Sequence, residues 1–187
     1  MNNLETEFKF KINKLPTINF DNTKKYYFKQ TYFDGNIKKD LLKNIFPDVD
    51  FSIINTYRIR YIESADEKKI VLTIKSKAFP NGFSRIEEEK EIDERIASLI
   101  IDGTMTNTII KNRYVDAYNG YIFEFDEYLN LNVPLFTCEI EVCSDVEYEK
   151  EVNKFQKMIE DHYEVQCRDV TFNPIYKNSN LHKYFGK

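Results

Sequence analysis

The sequence predicts an α+β fold that is mainly antiparallel β: eight strands closed into a barrel, with a polar, charged lumen and flanking helices over an apolar outer wall. Three observations predict it. Eight segments alternate with period two, turn residues join several neighbours directly, and in nearly every segment charge keeps to one parity while bulk keeps to the other.

LETEFKFKI (4–12) opens the series, with Glu5, Glu7, Lys9 and Lys11 on one face and Leu4, Phe8, Phe10 and Ile12 on the other. KYYFKQTYFD (25–34) is the second strand, and NIKKDLLKNIF (36–46) reads as a helix. TYRIRYIE (56–63) alternates Arg58 and Arg60 with Tyr57, Ile59 and Tyr61. In KKIVLTIKSK (68–77), Lys75 and Lys77 share the parity of Thr73, opposite Leu72 and Ile74. FSRIEEEKEI (83–92) sets Arg85, Glu87 and Glu89 in a row and turns Glu88 outward. Ala65-Asp66-Glu67 and Pro80-Asn81-Gly82 supply the turns between these strands.

DERIASLII (93–101) is a second helix, with Asp93 as its cap and Gly103 just past its end. TIIKNRYVDAY (108–118) carries Lys111 and Arg113, and GYIFEFDEYL (120–129) carries Glu124 and Asp126. Asn119-Gly120 between them accepts positive φ and predicts a two-residue hairpin. LFTCEIEVC (135–143) places Glu139 and Glu141 between Cys138, Ile140 and Val142. DVEYEKEVNKFQKMIEDHY (145–163) has Val146, Val152, Phe155, Met158 and Ile159 at helical spacing, with Asp145 as the expected cap. A short closing helix is expected from about Ser179.

The chain of 187 residues is expected to form one domain, 1–187. With 27 basic and 31 acidic residues intermixed, net charge −4, it has no global field to attract an anionic membrane, and long nucleic acid is argued against as a partner. No apolar run approaches the length of a bilayer span and MNNLETEF lacks the regions of a signal peptide, so the expected location is cytoplasmic. Cys138, Cys143 and Cys167 lack the paired spacing of a zinc site, and only His162 and His182 could join them, so any metal is expected to be a hard one held by oxygen. The three thiols read as packing residues.

A solvated sheet face explains mixed charge on any single strand, but eight strands with near-exclusive Arg, Lys and Glu in same-sign pairs need another cause. Glu5 and Glu7 lie roughly 7 Å apart along their strand. If Glu139 and Glu141 lie nearby, four carboxylates raise one another's pKa unless a cation neutralises them. Paired Arg and Lys offer donors to a polyanion. Carboxylates, a divalent metal and a basic cradle describe a site for phosphoryl chemistry, and LETEFKFKI would line a water-filled tunnel.

Glu5-x-Glu7-x-Lys9, QTYFD (30–34), YRIRY (57–61), LTIK (72–75), SRIEEEKEI (84–92), KNRY (111–114), FEFDEY (123–128), EIEV (139–142) and YKNSNL (176–181) together resemble the CYTH superfamily of triphosphate tunnel metalloenzymes, in the family's order and over nearly the whole chain. The resemblance implies a tunnel for a linear triphosphate with Mg²⁺ or Mn²⁺. It implies Glu5, Glu7, Glu139 and Glu141 as metal ligands with Asp126 assisting, and Glu139 or Glu141 orienting the attacking water. Lys9, Arg58, Arg60, Lys75 and Arg113 would grip phosphate, joined by Lys77, Arg85 and Lys111; Arg168, Lys177 and Lys183 are the candidates for a base that closes the tunnel. QTYFD departs from the common QGY, and the chain has no Trp to face an organic group such as thiamine.

The expected function is a metal-dependent triphosphatase acting on inorganic tripolyphosphate or a related small triphosphate by in-line attack of water, without a P-loop, since no GxxxxGK[ST] occurs. The alternatives are an adenylyl cyclase acting on ATP, a thiamine triphosphatase, a nucleoside or RNA 5′-triphosphatase and a non-catalytic polyphosphate or nucleotide binder. Exposed aromatics are compatible with a homodimer.

Overall fold

The computed structural model describes residues 3–17, 24–82, 84–142 and 146–186, with side chains from residue 6 onward. Its strands are β1 (Asn3–Ile12), β2 (Lys24–Phe33), β3 (Ile54–Glu63), β4 (Lys68–Ser76), β5 (Ser84–Ile92), β6 (Thr106–Tyr118), β7 (Tyr121–Tyr128), β8 (Phe136–Val142) and a short β9 (Cys167–Asp169). Its helices are α1 (Lys39–Ile45), α2 (Glu94–Ile101), α3 (Tyr148–Tyr163) and α4 (Leu181–Phe185). The eight predicted strands are all present, each within two residues of its expected ends.

All pairings are antiparallel, in the order β5-β4-β3-β2-β6-β7-β8-β1-β9, and β1 also pairs with β5 over residues 3–6. That last pairing turns a sheet of eight strands into a ring. β1 is shared by three ladders: its start meets β5, most of its length meets β8 and its end also meets β9. β9 had no sequence signal, because three residues are too few for a period to show. The Asn119-Gly120 hairpin forms as expected, both residues at positive φ (50° and 80°) and Tyr118 opposite Tyr121.

Apolar side chains of the ring face outward and the helices cover them. Phe8, Phe10 and Ile12 of β1, Phe123 and Phe125 of β7, and Cys138 and Ile140 of β8 pack with Val152, Phe155, Ile159 and Tyr163 of α3. On the other flank Ile59, Leu72, Ile74 and Ile92 meet Ala97 and Ile100 of α2 and Leu42 of α1. Each fully buried side chain of this kind stabilises the fold by about 1.5–3 kcal/mol before entropy is counted. Gly35 is buried against Tyr57, where a Cβ would stand 2.4 Å from the ring, so this approach requires glycine.

Asp93 caps α2 as expected, accepting from the backbone N–H of Ile96. α3 begins at Tyr148, and both Asp145, its expected cap, and Cys143 lie outside the described residues. Cys138 is buried and Cys167 half-buried, as packing residues. The tail lies against one end of the ring: Val170, Tyr176 and Leu181 pack with Ile109, Tyr128 and Leu135. No helix among the described residues is long and apolar enough to cross a membrane.

Candidate active site

Because the outward parity of the strands other than β2 is consumed by the core, their charged parity points into the ring, where it lines a cavity of about 760 Å³. Lys9 (β1), Arg58 and Arg60 (β3), Lys75 (β4), Arg85 (β5) and Lys111 and Arg113 (β6) all line it. So do Glu7, Glu87, Glu89, Glu124, Glu139 and Glu141. The rows anticipated on seven strands thus converge on one space.

Six of these cations are matched by carboxylate. Lys9 Nζ lies 2.6 Å from Glu139 Oε1 and also donates to Asn178 Oδ1 at 3.0 Å. Lys75 Nζ is 2.6 Å from Glu87, Arg58 reaches Glu87 and Glu89 at 3.3 and 3.2 Å, and Arg60 meets Glu89 at 2.8 Å. Arg113 forks onto Asp126 through Nε and Nη2, both at 2.7 Å, and also holds Glu124 and Glu139. Lys111 donates to Asp126 and stands 3.9 Å from Glu139.

These pairs set the protonation states. Burial alone raises the pKa of Glu139, but Lys111, Lys9 and Arg113 overcome it and hold the carboxyl well below its ordinary range. Burial lowers Lys9, yet Glu139, Tyr128 and Glu7 more than offset this and keep its ammonium above the usual value. Lys111 is different: burial and then the neighbouring Arg113 outweigh Asp126 and Glu139 and bring it down to about 8. Arg60 is lowered to about 10, by burial first and by Arg58 next.

Glu7 of β1 stands directly opposite Glu141 of β8 in register, a like-charge cross-strand pair that is destabilising without a cation. Two carboxylates on the cavity wall are hard oxygen donors of the kind a divalent cation could take. Glu5 is opposite Arg85 in register and its side chain is outside those described. Among the described residues no three carboxylates, thiols or imidazoles converge into a ready-made metal cluster. Both oxygens of Glu139 face cations, and Asp126, fully buried, is sealed behind Lys111 and Arg113 and does not line the cavity.

Of the three basic candidates in the tail, Lys177 lines the cavity. Arg168 points instead to the Tyr176 hydroxyl, and Lys183 lies over the Tyr184 ring. Lys77, expected with the phosphate-gripping set, is exposed and does not line the cavity. Two residues without an assigned role at sequence level belong here. Gln30 of β2, fully buried in the wall, accepts from Arg58 at 3.4 Å, and Asn178 accepts from both Lys9 and the Tyr128 hydroxyl. Neither carries charge, so the parity of charge could not mark them.

No protein-family profile matches the chain. It is 32% identical over 163 residues to an inorganic triphosphatase of Acetivibrio thermocellus, a match covering 83% of this chain and 91% of that protein. Solved structures share the fold. A conserved hypothetical protein from Pyrococcus furiosus superposes with a TM-score of 0.54 at 24% identity, over 83% of this chain and 90% of its own. The structure of an inorganic triphosphatase gives a TM-score of 0.51 at 19% identity, over 98% and 97% of the two chains. With the motifs in order along the ring, their charges gathered in one cavity and a relative at this identity over most of both lengths, the chain belongs to the CYTH superfamily of triphosphate tunnel metalloenzymes.

Proposed function

We propose that the protein hydrolyses inorganic tripolyphosphate or a related small triphosphate, with Mg²⁺ or Mn²⁺ as its metal. The observation that carries this reading is the single cavity that seven basic side chains from five strands line together with carboxylates. Arg and Lys gathered in one cavity are the donors that a chain of phosphates takes, and the hydrolysis asks for positioning and charge stabilisation more than for a covalent nucleophile.

Glu7 and Glu141, with Glu5 in the same row, are the ligands suited to the metal, which when bound polarises phosphate oxygens and offsets their charge. An arriving polyanion competes with Glu87, Glu89 and Glu139 for Lys75, Arg58, Arg60 and Lys9, so carboxylates are released as phosphate is gripped. Glu139 joins the site in that way. Glu141 on the cavity wall orients the water for in-line attack, because Glu139, held ionised by three cations, is a weak base. Arg113, fixed by Asp126, offsets the charge that develops on the transferred group, and Lys177 closes the cavity from the tail.

The test is a substrate panel with Mg²⁺ and with Mn²⁺: tripolyphosphate, pyrophosphate, ATP, GTP and thiamine triphosphate, following orthophosphate, pyrophosphate and cyclic AMP. Orthophosphate from tripolyphosphate, abolished in Glu141→Gln with binding retained, is the expected result. Cyclic AMP with pyrophosphate from ATP would make the protein a cyclase, and silence with retained binding would make it a binder.

A further inference from the structure

We propose that Phe28 is a positioning residue of the anion cradle, its aromatic face holding Arg60, Lys111 and Arg113 in place without neutralising them; the proposal rests on reading the cavity as an anion site. Phe28 lies on β2, which sits between β3 and β6 in the ring. It has the parity of Gln30 and Tyr32, which line the cavity, and turns into the ring beyond the end of that cavity, where it is buried. The guanidinium carbons of Arg60 and Arg113 lie over its ring at 5.1 and 5.5 Å from the centroid, and Lys111 Nζ at 5.8 Å. All three distances are within the range, about 6 Å, at which a ring quadrupole attracts a cation.

The ring is itself held. Tyr26 stacks on it at 5.9 Å, and Ile62 and Val71 complete a small apolar cluster inside the ring of strands. Arg60 depends on it most, because its ion-pair partner is Glu89 and its Nε has no hydrogen-bond partner among the described residues.

The chemistry distinguishes two ways of holding a buried cation. Asp126, Glu124 and Glu139 hold Arg113 and Lys111 by opposite charge, which fixes them and cancels their field at the same time. A neutral aromatic face stabilises a cation and leaves its full charge available to an incoming phosphate. In a cavity where carboxylates already answer the cations, Phe28 preserves a net pull on the substrate.

The experiment replaces Phe28 by 4-fluoro-, 3,5-difluoro- and 3,4,5-trifluorophenylalanine, which nearly keep its size while draining charge from its face. The readouts are the dissociation constant for non-hydrolysable imidotriphosphate with Mg²⁺, KM and kcat for tripolyphosphate, and the unfolding midpoint. Affinity should weaken stepwise with each fluorine, to about tenfold at three, with KM moving more than kcat and the midpoint falling in step, since the same quadrupole stabilises the cations in the folded protein. Phe28→Leu, apolar but without a quadrupole, should lose a similar factor. A flat series, or one that moves only the midpoint, would reduce Phe28 to packing while leaving the anion site standing. If the unmodified protein binds neither imidotriphosphate nor tripolyphosphate, the anion reading and the role of Phe28 fall together.

Discussion

Glu139→Gln tests the central ion-pair network. The carboxylate is buried, its Oε1 is 2.6 Å from Lys9, and its Oε2 is held by Arg113 with Lys111 at 3.9 Å. Glutamine keeps the shape and one acceptor but removes the charge that three buried cations share. Breaking a buried ion pair from one side costs about 3–5 kcal/mol. Arg113 retains Asp126 and Glu124, and Lys9 retains Asn178, so the lower end applies, about 3 kcal/mol. For a chain of this length that lowers the unfolding midpoint by about 6–12 °C.

The sign of the pH dependence follows from the depressed pKa of Glu139 in the folded state. Its contribution to stability is present above the unfolded carboxyl value, about 4.3, and is lost as pH falls through the folded one. Wild type and variant should therefore differ fully at pH 7 and converge below pH about 4. Tripolyphosphate, which supplies the missing negative charge, should raise the midpoint of the variant more than that of the wild type. Thermal unfolding at pH 7, 5 and 3.5, with and without tripolyphosphate, measures all of this. Equal midpoints at pH 7 would refute the claim that these cations lean on Glu139.

Two further outcomes are expected. Lys111, lowered to about 8, loses its charge as pH rises past that value, so tripolyphosphate affinity should fall above pH 8, and fall less in Lys111→Met. Its effect on stability runs the other way: between about 8 and its unfolded value, about 10.4, the folded state binds fewer protons, so this group makes the fold more stable as pH rises. Phe155→Ala removes a fully buried ring that meets Phe8 and Tyr121 edge-on at 5.0 Å, and should cost about 3–5 kcal/mol by urea unfolding while leaving KM of the folded enzyme unchanged.

Most of the ring was legible because one physical rule governs it: in a strand, side chains alternate, and here apolar groups had to go outward under helices. That rule located Lys9, Arg58, Lys75, Arg113 and Glu139 on the inner wall before any fold was seen. It misreads β2. There Lys25 and Lys29 are exposed outside, while Tyr26, Phe28, Gln30 and Tyr32 turn inward, so charge marks the wrong face. The reason is that β2 backs the bases of both its neighbours and needs a neutral surface to do so. Parity also cannot tell wall from depth, which is why Asp126, in step with Glu124, ends sealed behind Lys111 and Arg113. That Lys177 lines the cavity while Arg168 and Lys183 do not depends on how the tail lies across the ring, and the irregular tail has no period to read.

The triple use of β1 has a consequence for how the protein comes into being. Its partners β5, β8 and β9 begin about 80, 130 and 160 residues later in the chain, so β1 is made long before the strands it pairs with and cannot be fully placed until they are. Closing so long a loop is entropically slow and leaves open edges exposed until it happens. Because β1 also carries Glu7 and Lys9, the step that seals the ring is the same step that assembles the charge pattern of its interior. A chain whose ring is still open therefore carries the basic rows of β3, β4 and β6 without Glu7 and Lys9, and the site is completed only at closure.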